Sequence, residues 1–573
     1  MKTATRYRIY KIIIVLALAA YTIKNLFVGM DADEGYGVVA GFRLAMGDKL
    51  VLEMWEPHQT SAIFTAILEK PWLLLMGGKA EFLDLYLKVI FFIIHSLITL
   101  FIYRTLKKCA AGMDSNAALL MALIFYVTSP KSIFIPEYSN LHIWFFMLLS
   151  MTFMRYYAES GSDRGKIIWL VLAGLCLTGD VLSYPSMVLL LPVCLIFILK
   201  KHIKKAFAEM TAFVMPCLVC FAAFMLYLLS YMSPELLLEL IPYVLSDGSH
   251  QTDYLSRCAD VAGDFGIMAI VIAASALFAY ILGKIIIRMY YKKHVDEPEK
   301  DNVAVYAAVF LALQMAFQIV QIFISRYSGS YPHITYIAAS LLGIFFYLRG
   351  GRREKAGFYM IVFSALSYAG VILMSNWGPL NLNIYMVGGV LGGFICMYGY
   401  FREKAGSEGV RAVRALCALL IITNVFGYCY LIIGGEDSHS PIYTIGGYGH
   451  GGVKAGIIAS WMASYRYNTN LELWPEAVPD GSTVLYVGPS QFFYMLGDCT
   501  IAAPNTISTP VYNENLLKYW EFNPDRYPNV IAVESWYGDT PHYGEESFIM
   551  QWIENDFGYT RKEEYPYVTV YYR

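Results

Sequence analysis

The chain has 573 residues, of which 57% are hydrophobic and only 15% charged, with a formal net charge of -2. Soluble proteins carry about 25% charged residues, so this composition excludes an ordinary soluble core, and the charge balance excludes a nucleic-acid binder. What remains is a polytopic helical membrane protein.

A bilayer core about 30 Å thick takes roughly 20 apolar residues per helix. Read on that length, the chain predicts about thirteen spans, and the first core covers residues 9–29. An outer segment of residues 30–84 follows, long for a membrane connection and rich in polar groups. Further cores are expected at 85–103, 117–134, 140–157, 167–181, 185–199 and 207–230. A second long outer loop, 231–263, holds Pro234, Pro242 and the apolar run ELLLELIPYVL, the pattern of short interfacial helices able to cover a site. The remaining cores lie at 265–287, 303–325, 334–348, 357–374, 383–400 and 415–434.

Lys and Arg collect in alternate connections, among them Lys2, Arg6, Arg8 and Lys11, then Lys200, Lys201, Lys204 and Lys205, then Arg349, Arg352, Arg353 and Lys355. Cytoplasmic loops carry this excess, which places the N-terminus inside and the residues after 434 outside a plasma membrane. From 435 to 573 charged and turn residues return, with β-like runs TVLYVG, NVIAVE and YVTVYY between helix-like stretches, so an extracytoplasmic α/β domain is expected there. Gly447, Gly449 and Gly452 have the spacing of a dinucleotide fingerprint, but no strand leads into them, and the segment reads as a linker. Of the ten cysteines only Cys258 and Cys499 are expected on the oxidising side, and no disulfide framework is implied.

Chemistry-bearing residues concentrate in the first outer segment. Asp31, Asp33 and Glu34 directly follow an apolar span; they suit either the acidic head of a helix or a base placed at the membrane edge. Trp55-Glu56-Pro57-His58-Gln59 joins a carboxylate and an imidazole to a rigid proline. Glu56 and His58 are types that bind a divalent metal ion, His58 alternatively a phosphate oxygen, and Trp and His also serve as plain interfacial anchors. Arg326 stands on a face otherwise poor in cations, as a phosphate partner or a snorkelling helix end. Lys88 and Lys131 are further cations near that face.

Asp33-Glu34 after the first span, Tyr36, the RLAMGD stretch from Arg43 to Asp48, the Trp55 to His58 segment, Tyr184-Pro185 and Arg326-Tyr327 with Pro332 follow one another in an order that resembles the GT-C class of membrane glycosyltransferases. The likeness is to the bacterial branch related to protein O-mannosyltransferases and aminoarabinose lipid A transferases. It implies an inverting transfer of a sugar from a polyprenyl-phosphate donor to a cell-envelope glycan, glycolipid or protein on the outer face. By the same resemblance Asp33 is the catalytic base, and Glu34, Tyr36, Glu137, Asn140, Tyr184, Arg326 and Tyr327 contact substrate. The sequence departs from the pattern where Pro57-His58 replaces a Lys beside Glu56, where Asn140 stands for a common Asp, and where Tyr184-Pro185 replaces Lys-Pro. Two other readings compete, a membrane scaffold whose tail binds a partner and a lipid or sugar transporter. The second needs polar groups along the midplane, whereas the acids here gather at one face.

Overall fold

The computed structural model describes residues 2–29, 32–56, 58–110, 112–130, 133–159, 163–201, 205–245, 254–293, 302–325, 334–350, 354–375, 377–432, 440–488, 490–506, 513–536, 540–541 and 547–573. Helices fill the first three quarters. They are α1 (Lys2–Phe27), α2 (Ala32–Met46), α3 (Ala62–Leu75), α4 (Leu83–Cys109), α5 (Ser115–Tyr126), α6 (Tyr138–Ala158), α7 (Asp163–Ser183) and α8 (Leu190–Lys201). Then come α9 (Ala206–Leu229), α10 (Pro234–Leu245), α11 (Tyr254–Lys293), α12 (Val303–Ser325), α13 (Ile334–Arg349), α14 (Lys355–Met374), α15 (Pro379–Leu382) and α16 (Val387–Tyr430). The last quarter adds α17 (Trp461–Ala477), α18 (Asn515–Phe522) and α19 (Phe548–Asn555).

Each expected span core overlaps a helix, but the core expected at 117–134 is helical only as far as Tyr126, where α5 ends, and the one at 185–199 opens with a 3-10 turn before α8. Among the described residues, seven helices are long and apolar enough to cross a membrane, and the segments at α1, α5 and α13 are apolar but shorter. One of the seven counts two expected spans together. Gly406, at φ 56°, breaks the helical path inside α16 and separates the runs at 383–400 and 415–434. Apolar side chains such as Leu218, Val219 and Phe221 on α9 and Ile270, Leu277 and Phe278 on α11 are exposed, as lipid-facing surfaces are. Elsewhere small residues let helices meet closely. A Cβ at Gly343 would lie 2.5 Å from the Gly393 Cα, so α13 rests directly on α16.

The C-terminal sheet is built from β3 (Ser482–Val487), β4 (Cys499–Ile501), β5 (Val530–Trp536), β6 (Thr540–Pro541), β7 (Arg561–Glu564) and β8 (Val568–Tyr572), after a separate ribbon of β1 (Ile445–Tyr448) and β2 (Ile458–Ser460). Strand order is β4-β3-β5-β8-β7. β3 runs parallel to β4 and β5, with Leu485 opposite Ile531, while β8 is antiparallel to β5, with Ile531 opposite Tyr571. The three β-like runs of the sequence are thus β3, β5 and β8. Val484, Leu485, Tyr486 and Val487 are all buried, as expected of a parallel strand covered on both faces.

The core does not stop at residue 434. Val38, Val39, Phe42 and Ala45 of α2, Trp55 and Leu240 of α10 belong to the same apolar cluster as the sheet. The glycine-rich segment is a folded connection rather than a linker. Gly452 takes φ +65°, its N–H donates to Glu81 at 2.7 Å, and the Phe82 N–H donates to its carbonyl, which docks the segment on the head of α4. Cys499 is largely enclosed, and burial pushes its thiol up to about 12.

Candidate functional site

The helix that follows the first span, α2, is held from below by small residues. A Cβ at Gly37 would lie 2.6 Å from the Glu137 Cβ, and one at Gly41 2.8 Å from both Glu69 and Thr65. These glycines seat α2 against α3 and the 133–137 turn. Asp33 falls in the first turn of α2; its side chain lies outside the described residues, as do Arg326, Tyr327 and Lys131.

Next to Asp33, Glu34 is buried and accepts a hydrogen bond from the Phe134 N–H at 2.6 Å. Its other oxygen is 3.5 Å from the Lys88 ammonium, which also lies 3.1 Å from Asp84 one turn back on α4. Lys88 therefore sits between two carboxylates. This answers the cost of burying a lysine at the edge of a span, and it commits Lys88 to internal charge pairing.

Beneath α2, side chains from four separate segments converge. His58 stacks on Tyr138 with centroids 4.0 Å apart and planes 1° from parallel, and its ring is 4.9 Å from that of Tyr184. Tyr36 meets Tyr138 at 6.2 Å. One turn into the bundle, His142 lies 5.3 Å from Tyr184 and 5.5 Å from Tyr385. The spacing explains the assembly: residues 138 and 142 share a face of α6, and 180 and 184 share a face at the end of α7. The Thr60 hydroxyl donates to the Leu182 carbonyl and fastens the His58 segment to that end.

Below the aromatic layer a polar relay crosses three spans. His142 Nδ1 is 2.6 Å from Asp180 Oδ1, and His142 Nε2 is 3.1 Å from the Ser367 hydroxyl. All three residues are buried. An ionised Asp180 can only accept, which puts a proton on Nδ1; in the neutral ring Nε2 then accepts from Ser367. No motif announced this relay. Its signal was the presence of His142 and Asp180 inside apolar runs, where ionisable residues are rare.

Glu56 faces elsewhere. It lies 3.0 Å from the Arg43 guanidinium and accepts from both the N–H and the hydroxyl of Thr506, beyond β4. Arg43 also holds Asp48 at 2.7 Å and the Glu53 carbonyl at 2.6 Å. Burial works against the Arg43 charge, but Asp48, Tyr519 and Glu56 outweigh it and raise its pKa; burial raises the Glu56 carboxyl, with Arg43 and Thr506 opposing. This is a tie between the segment that follows α1 and the C-terminal domain. As a metal pair the two residues fit poorly, since Glu56 is engaged by Arg43 and Thr506 while the His58 ring is stacked on Tyr138. Among the described residues no group of three or more His, Cys, Asp or Glu could hold a metal ion.

Glu137 and Asn140 shape the turn that supports α2. Glu137 accepts from the Ser139 and Asn140 N–H groups, each at 2.9 Å, and caps α6. The Asn140 amide donates to the carbonyls of Ile133 and Ile135. Of the sequence-derived candidates, then, Tyr36, His58 and Tyr184 come together around Tyr138; Glu34 is engaged by Lys88 and the Phe134 N–H, and Glu56, Glu137 and Asn140 are engaged in scaffolding contacts.

No family model matches the chain, and no curated protein matches it. Solved structures do. The chain is similar to the Archaeoglobus fulgidus oligosaccharyltransferase in complex with Zn and sulfate, at 13% identity and TM-score 0.44 over 91% of this chain and 67% of that one. It is similar to oligosaccharyltransferase AglB of the same organism, in complex with an inhibitory peptide and a dolichol-phosphate, at 13% identity and TM-score 0.41, covering 92% and 70%. ArnT from Cupriavidus metallidurans in the apo state matches at 11% identity and TM-score 0.40, covering 99% and 98%. At these scores the likeness decides nothing about chemistry, and the residues themselves must carry the reading.

Proposed function

We propose that this chain is a membrane glycosyltransferase that moves a sugar from a polyprenyl-phosphate donor to an acceptor hydroxyl on the outer face. The observation that carries this reading is the convergence of Tyr36, His58, Tyr138, Tyr184 and His142 under the helix whose first turn holds Asp33. Flat rings gathered under a helix that begins with an acidic residue suit a sugar and an acceptor hydroxyl.

In this reaction the acceptor oxygen attacks the anomeric carbon from the face opposite the phosphate, and the bond from that carbon to the phosphate oxygen breaks with inversion. Asp33 takes the proton from the acceptor. The departing phosphate leaves with the bonding electrons, and Arg326 neutralises its charge. Glu34, held by Lys88 and the Phe134 N–H, keeps the start of α2 in place beside the base. Tyr36, Tyr184 and His58 are assigned to the sugar, and Tyr327 to substrate contact.

The test is release of free polyprenyl phosphate from a panel of polyprenyl-phosphate sugars by reconstituted protein with cell-envelope acceptors, beside Asp33→Asn. The expected result is turnover in the parent and a loss of about 100-fold or more in the variant. Unchanged turnover in the variant refutes the base assignment. No turnover with any donor, from protein shown to be folded, favours the scaffold.

A further inference from the structure

The C-terminal domain exposes an uncharged aromatic surface at the point where it meets the spans. On the start of α17, Trp461 is 59% exposed and Tyr465 50%, and their rings stack at 5.3 Å and 7°. Met462 between them is exposed, as are Tyr443, Ile445 and Tyr448 before and within β1. A soluble face of this composition is unusual, since exposed apolar patches mark surfaces that something covers.

Two backbone contacts set the height of this surface. Val28, just past α1, bridges Ile458 of β2, and the Gly29 N–H donates to the Ile458 carbonyl at 2.8 Å. Leu431, just past α16, bridges Pro441, and the Ile432 N–H donates to the Ser440 carbonyl at 2.7 Å. The ribbon is therefore fixed to the ends of two apolar helices, α1 and α16. Trp461 is three residues from the first contact, at most about 10 Å of chain, and Tyr443 two from the second, about 7 Å. The headgroup layer on each side of a bilayer is about 5–8 Å thick, so both side chains fall within reach of it.

The arrangement is rigid and continuous with the lipid-facing surface below. A Cβ at Gly446 would lie 2.7 Å from the Trp461 Cβ, and one at Gly447 2.7 Å from that of Ser464, which seats the helix start on the ribbon. On α1 beneath, Ile23 and Phe27 are exposed, the apolar surface that leads up to the aromatic ring set. Tyr465 also touches Tyr567, ahead of β8, so the same end of the sheet faces the spans.

We infer that this surface, centred on Trp461, Tyr465 and Tyr443, inserts into the headgroup layer of the bilayer and makes the C-terminal domain a membrane-resting one. Trp and Tyr prefer that layer because their rings are apolar and their N–H and O–H remain wet. Glycan stacking is the competing use of exposed rings. Here the side chains nearest the rings include Met462 and Ile445, and the Thr444 hydroxyl between Tyr443 and Ile445 already donates to the Pro441 carbonyl, so the surface is apolar apart from the rims of its rings.

The experiment places a benzoyl-phenylalanine photocrosslinker at position 461, 465 or 443 of the full chain in lipid nanodiscs. A control carries it at Arg561, exposed at the other end of the sheet, where β7 pairs with Tyr572. Expected are lipid adducts at all three positions, about tenfold above the control. Adducts no higher than at 561, or adducts to added envelope glycan in place of lipid, overturn the inference. A second measurement needs no unnatural residue: headgroup-labelled lipid quenchers should reduce parent tryptophan fluorescence more than that of Trp461→Phe. Equal quenching of the two also overturns it.

Discussion

Replacing Arg43 by Met tests the tie between the segment that follows α1 and the C-terminal domain. Arg43 is 1% exposed, and its pair with Glu56 at 3.0 Å is wholly enclosed. At an effective dielectric near 20 that pair is worth about 5 kcal/mol before desolvation, and removing one member of a buried pair costs about 3–5 kcal/mol because the other charge is stranded. Asp48 suffers less, since Arg526 holds it at 2.8 Å. Arg43→Met should therefore destabilise the domain by about 3 kcal/mol or more. Glu56→Gln should cost about 1–2 kcal/mol, because Gln can still accept from Thr506. The double variant leaves no stranded charge at this pair, so its loss should fall clearly below the sum of the two. Urea titrations in one detergent, followed by tryptophan fluorescence, measure all three. Additive losses, or an Arg43→Met loss under about 0.5 kcal/mol, would refute the reasoning.

Two further predictions concern buried carboxyls. Glu69 on α3 is fully buried, with no hydrogen-bond partner for either oxygen among the described residues, and burial holds its carboxyl well above the ordinary range. A raised folded-state value means that its contribution to stability is full below the ordinary Glu value and is lost as pH rises through the raised one. Glu69→Gln should flatten that alkaline fall, and thermal melts of parent and variant across pH 5 to 10 check it; parallel profiles would show that another group is responsible. For the relay, Asp180→Ala should cost about 1–3 kcal/mol by leaving His142 without its acceptor, and Asp180→Asn less, since the amide oxygen still accepts. Equal losses for the two variants would mean that only packing at position 180 counts.

Membrane character, the positions of the spans and the strands of the tail were legible in the sequence because each depends on local properties: run length against bilayer thickness, and β-branched runs between turn residues. The acids after the first span and the Trp55 to Gln59 segment were also visible as unusual polar content in a long loop, whereas the meeting of Tyr36, His58 and Tyr184 around Tyr138 appears only in the fold. Three things were not. That Glu56 answers Arg43 and Thr506 depends on a contact across 450 residues of chain, which no spacing encodes. The relay of His142, Asp180 and Ser367 needs three spans to meet, and the packing of α6, α7 and α14 decides that. The glycine-rich segment resembles a linker by composition, yet a positive φ at Gly452 and the donors and acceptors at Glu81 and Phe82 fold it onto α4. Hydrophobicity along a chain determines which segments enter the membrane; only close packing between segments distant in sequence determines which buried polar groups find partners, because an unpaired one is too costly to leave alone.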